Sequence, residues 1–106
     1  MKVVVVGGGS WGTAFAALLR DRGQDVTLAC RDPEQARAIE ETGHNPRYLT
    51  TADLRGVKVA TIEDAPLAET ELVVLAVPSR AFSKVAAGLP GNAPVLILTK
   101  GLDPGT

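Results

Sequence analysis

The chain has 106 residues, 45% of them hydrophobic and 22% charged, which fits one folded domain and is too apolar for a disordered segment. Its 11 Lys and Arg against 12 Asp and Glu leave a net charge of −1, so no basic excess can neutralise a phosphate backbone, and nucleic acid is not an expected partner. One cysteine, Cys30, and one histidine, His44, exclude an internal disulfide framework and a self-contained tetrahedral zinc site. No apolar run approaches a secretory h-region or the roughly 20 residues that span a bilayer, so a cytoplasmic chain without a membrane span is expected.

Residues 2–6 (KVVVV) are an apolar, β-branched run with no helical period, the pattern of a strand buried on both faces. Gly7 ends it. Over residues 11–20 the spacing turns helical, with Ala14, Phe15, Leu18 and Leu19 on one side and Gly23 at the position of a left-handed C-terminal cap. Residues 25–30 (DVTLAC) predict a second strand. Asp32, Pro33 and Gln35 then supply an N-cap, a first-turn proline and a capping-box position for a helix that ends near Gly43. Residues 44–56 have no clean period and predict an irregular loop. A third strand is expected over 57–61, a weak helical turn over 63–69, a strongly apolar fourth strand over 71–77 (ELVVLAV), a short helix over 80–87 and a fifth strand over 94–99 (PVLILT). Alternating apolar strands and short helices predict an α/β domain, a doubly wound parallel sheet of Rossmann-like type, occupying residues 1–106.

Gly7, Gly8, Gly9, Ser10, Trp11 and Gly12 satisfy the pattern G-x-G-x-x-G through Gly7, Gly9 and Gly12. Alone the pattern is weak, because 11 glycines in 106 residues produce near misses. Here it follows a predicted strand and opens a predicted helix, the context of a dinucleotide-binding turn. The first glycine serves the tight turn, the second lets backbone approach a pyrophosphate, and the third lets helix and strand pack closely. The N-terminal amides and dipole of the helix would then hold the phosphates. Ser10 can serve as a phosphate donor or as the helix N-cap; Trp11 can flank the cofactor or pack beneath the loop.

The end of the second strand bears on NAD against NADP. An acidic residue there would bind the ribose 2′-hydroxyl, and an arginine a 2′-phosphate. Asp32 is better explained as the next helix's N-cap, which leaves Arg31 to face the adenosine and favours NADP, or use of both cofactors, over NAD alone. Pro78 and Lys100 follow the fourth and fifth strands, where the carboxyl ends of a parallel sheet meet the nicotinamide half of a dinucleotide. Lys100 can hold a substrate phosphate or polarise a carbonyl, or be a solvated end-of-strand lysine. Cys30 reads as a small buried apolar residue and His44 as a loop residue.

Several stretches together resemble the N-terminal domain of bacterial NAD(P)-dependent glycerol-3-phosphate dehydrogenases: GGGSWGTAFA at 7–16, RDPE at 31–34, NPRYL at 45–49, LAVPS at 75–79 and TKGLDPGT at 99–106. The resemblance implies reduction of dihydroxyacetone phosphate to sn-glycerol 3-phosphate with NADP or NAD as cofactor, for phospholipid synthesis. It implies cofactor contacts at Ser10, Trp11 and Arg31, a cofactor and substrate contact at Lys100, and a loop position at Tyr48. The family usually continues Tyr-Leu with Pro-Gly, whereas Thr50 and Thr51 stand here. The family's general acid/base lysine belongs to a helical C-terminal domain, so the resemblance implies that these residues are the cofactor half of a larger enzyme, inactive alone, with a homodimer of the full-length protein entertained. Two readings compete: the cofactor half of a related two-domain reductase such as ketopantoate reductase, and a stand-alone nucleotide-sensing module. The string KGLDPGT at 100–106 speaks against both.

Overall fold

The computed structural model describes residues 1–7, 9–46, 50–66, 69–76 and 94–97. In chain order these form β1 (Lys2–Val6), α1 (Ser10–Asp21), β2 (Asp25–Cys30), α2 (Pro33–Thr42), β3 (Lys58–Thr61), β4 (Leu72–Leu75) and β5 (Val95–Ile97). The helix expected over 80–87 lies outside the described residues.

All four strand pairings are parallel, and the sheet order is β3-β2-β1-β4-β5. The chain therefore builds outward from β1 to β2 and β3, then crosses back to lay β4 against the other side of β1. That reversal makes the boundary between β1 and β4 the switch point of a doubly wound sheet, where a crevice opens beyond the carboxyl ends of the strands. The register brings Val6 opposite Leu75 and also opposite Ala29.

β1 is buried on both faces, as its unbroken valine run requires. Val3 and Val5 join Val26, Leu28, Cys30 and Val74 in a core with Ala16 of α1 and Ala36 and Ile39 of α2. Val4 and Val6, on the opposite face, are equally inaccessible, at 1% and 0% exposed. Full burial of one such side chain stabilises the fold by about 1.5–3 kcal/mol, which is why an alternating polar pattern never appears in this strand.

The helix ends follow local chemistry. Asp32 caps α2, its Oδ1 accepting from the Glu34 amide at 2.9 Å, with Pro33 in the first turn and Gly43 closing the helix at φ 79°. α1 begins at Ser10, one residue earlier than its periodicity indicates, and its N-cap is Gly9 with no side-chain capping bond. Ser10 is thus the first helical residue, and the reading of Ser10 as N-cap is corrected: a residue with helical backbone angles stands past the capping position. The weak helical pattern over 63–69 gives only turns in its described part. The Asp64 and Ala65 amides donate to the Thr61 carbonyl at 3.1 and 3.0 Å, and Pro66, which has no amide hydrogen and disfavours helix in the residue before it, prevents propagation.

Candidate functional site

Gly7 stands at the carboxyl end of β1 with φ 120°, a backbone angle that side-chain-bearing residues rarely adopt. Its amide donates to the Ala29 carbonyl at 2.8 Å, while the Ala76 amide donates to Val6 at 2.8 Å. The turn leaving β1 is therefore held between the ends of β2 and β4, at the switch point. Gly12 lies directly against it. A Cβ on Gly12 would overlap the Gly7 carbonyl oxygen and stand 3.4 Å from Ala76 Cβ. Only a residue with no side chain lets α1 sit this close to β1.

Gly9 is different. Among the described residues, a Cβ built on it meets nothing within 4 Å, so the position beside Gly9 is open. The first rung of the helix is the Thr13 amide donating to the Gly9 carbonyl at 2.9 Å, and the amides of the first turn precede that ladder. No acidic side chain occupies this turn. An open approach, first-turn amides and the positive end of a helix dipole fit an anionic group such as a pyrophosphate.

Around this turn, Ser10 and Arg31 are exposed, and Trp11 is 51% exposed. Arg31 directly follows β2, beside the end of β1. Because Asp32 is engaged at the α2 N-terminus, the exposed basic group at this strand end is Arg31. Cys30 is fully buried, and its thiol is pushed up to about 11, first by burial and then by the Asp32 carboxylate. His44 Nδ1 lies 2.9 Å from the Ala52 carbonyl; against a carbonyl it must donate, so the histidine closes a loop. Gly8, Tyr48, Pro78 and Lys100 lie outside the described residues.

Sequence reasoning missed a buried polar row beside the turn. Gln35 Nε2 donates to Asn45 Oδ1 at 3.1 Å, and Asn45 Nδ2 donates to Thr13 Oγ1 at 2.9 Å. The available signal was a threonine on the inward side of α1, next to the glycine pattern. Among the described residues, no group of three or more His, Cys, Asp or Glu could hold a metal ion, and no helix is long and apolar enough to cross a membrane.

Fold and turn together define a Rossmann-like domain of the dinucleotide-binding type. The model of the family described as NAD-dependent glycerol-3-phosphate dehydrogenase N-terminus matches residues 2–106, and the chain belongs to that family. A glycerol-3-phosphate dehydrogenase [NAD(P)+] from Nocardia farcinica is 39% identical over 117 residues, covering 99% of this chain and 34% of that protein. The crystal structure of a glycerol-3-phosphate dehydrogenase from Coxiella burnetii superposes with a TM-score of 0.82 at 29% identity, over 98% of this chain and 34% of that one. A ketopantoate reductase from Ralstonia eutropha is less similar in both respects, with a TM-score of 0.72 at 25% identity over 93% of this chain and 34% of that one. The chain spans about a third of the length of the curated relatives it matches.

Proposed function

We propose that residues 1–106 form the cofactor-binding domain of a cytoplasmic NAD(P)-dependent glycerol-3-phosphate dehydrogenase. In its full-length form this enzyme reduces dihydroxyacetone phosphate to sn-glycerol 3-phosphate for phospholipid synthesis. The observation that carries the reading is the glycine turn at the switch point. Gly12 is pressed onto Gly7 while Gly9 leaves the helix N-terminus open, in a chain whose family match runs from residue 2 to 106.

On this reading Gly7, Gly8, Gly9 and Gly12 shape the pyrophosphate cradle, with Ser10 adding a hydroxyl and Trp11 flanking the cofactor. Arg31 meets the adenosine end, where a guanidinium fits a 2′-phosphate better than a bare hydroxyl. NADP, or both cofactors, is therefore favoured over NAD alone. Tyr48, Pro78 and Lys100 are assigned to the cofactor side from their sequence positions, Lys100 also to the substrate phosphate. The nicotinamide dinucleotide, when bound, supplies the hydride. The protein's task on this side of the site is to fix the dinucleotide's phosphates and adenosine so that the reacting ring is held in one place. No residue of this chain is assigned the proton transfer.

Calorimetric titration of the full-length protein with NADPH and NADH tests the assignment. Arg31→Ala is expected to weaken NADPH binding about tenfold, the worth of one charge-assisted contact, and NADH binding far less. Failure of the unsubstituted protein to bind either dinucleotide would refute the reading. The 106 residues by themselves are expected to leave NADPH unoxidised in the presence of dihydroxyacetone phosphate.

A further inference from the structure

The buried polar row links three parts of the domain that the sequence separates. Thr13 and Asn45 are 0% exposed and Gln35 6%, and each contributes a side-chain hydrogen bond to the row. A hydrophobic trio of similar shape would fill the same space without having to satisfy buried amides. What a satisfied polar network adds is a single arrangement of the elements that carry it.

Those elements are the ones that frame the glycine turn. Thr13 follows Gly12, the residue packed against Gly7. Gln35 is in the first turn of α2, just beyond Arg31 and the Asp32 cap. Asn45 opens the loop after α2, whose base is closed by the Leu54 amide donating to the Gly43 carbonyl at 2.8 Å. The loop's far limb is held by Arg20 Nη1, which donates to the Asp53 and Arg55 carbonyls, both at 2.7 Å. Thr13 and Arg20 stand about two turns apart and so share one face of α1. One face of the fingerprint helix thereby grips both limbs of the loop, and through Asn45 it also reaches α2.

We propose that Asn45 is a positioning residue for the dinucleotide site. By bonding Thr13 on one side and Gln35 on the other, it fixes the glycine turn relative to the Arg31 end of β2, so that phosphates and adenosine are received at one spacing. The inference rests on the cofactor-binding reading above and deepens it.

Thr13→Val removes the hydroxyl and keeps the shape, whereas Thr13→Ser keeps the hydroxyl; Asn45→Ala removes the link altogether. In the full-length protein, at a temperature where circular dichroism reports each variant folded, Thr13→Val and Asn45→Ala are expected to raise the NADPH Kd and KM about tenfold. Their kcat should stay within about twofold of native, and Thr13→Ser should stay within about twofold in Kd. A folded Thr13→Val with native Kd would overturn the inference, leaving the row as core packing only. If Asn45→Ala does not fold, the two Thr13 variants decide alone. An unsubstituted protein that binds no dinucleotide would overturn the cofactor-binding reading itself, a result distinguishable from a normal Kd in Thr13→Val.

Discussion

Cys30 is the last residue of β2, fully buried one position before the exposed Arg31. The strand end therefore carries an apolar anchor, and the first residue beyond the strand an exposed cation. Burial, followed by the nearby Asp32 carboxylate, raises the Cys30 thiol from its ordinary 9.0 to about 11. In the unfolded chain the thiol loses its proton near its ordinary value, while the folded chain keeps it, so the unfolded state binds fewer protons in between. Stability from this group is therefore present below about pH 9 and lost as the pH rises toward about 11. Denaturant titrations from pH 8 to pH 11 are expected to show a steeper decline for the native chain than for Cys30→Ala, whose difference curve isolates the thiol. Parallel curves would refute the buried-thiol account.

At the scale of elements, α1 is defined by what it cannot tolerate. Its third residue faces the Gly7 carbonyl so closely that even a methyl group collides with backbone, and backbone cannot swing aside as a long side chain can. Gly12→Ala is expected to cost about 2–3 kcal/mol of stability, typical of overpacking a tight contact, measured as a lower denaturation midpoint at unchanged slope. It should also abolish dinucleotide binding, because the only relief is to lift α1 off β1 and move the first-turn amides. Ala at Gly9, where space is open, should be far milder for folding. The sequence read these elements well wherever a local rule governs them. The valine run, the Asp32-Pro33 start and the Gly43 stop each act within a few residues. It left Ser10 open between phosphate donor and N-cap, and the fold removes the second reading by starting α1 at Ser10 with Gly9 as its cap. The capping-box position of Gln35 gives no sign that its amide reaches Asn45, ten positions on and beyond the end of α2.

For the molecule as a whole, parallel pairing and double winding were legible because uniformly apolar strands alternating with helices admit few arrangements. Strand order reflects the crossover handedness and the switch point. The glycine turn was legible as a set of residue types. The buried polar row was not, since Thr13, Asn45 and Gln35 meet only in three dimensions. A ligand bound only by the folded state stabilises it by mass action, about 2.7 kcal/mol at a hundredfold excess over Kd. NADPH at that concentration should raise the melting temperature of a domain this size by about 10 °C or more. An unchanged melting temperature would refute dinucleotide binding by the native fold. The central place of β1 has a kinetic side as well. Its pairing with β2 runs from Lys2 and Asp25 to Val6 and Ala29, and its pairing with β4 from Val3 and Leu72 to Val6 and Leu75, so β1 waits for the latter half of the domain before its second edge is covered. Closing so long a loop is slow. Until it closes, a run of four valines offers an unpaired edge, the kind of surface that invites wrong partners in a crowded cell.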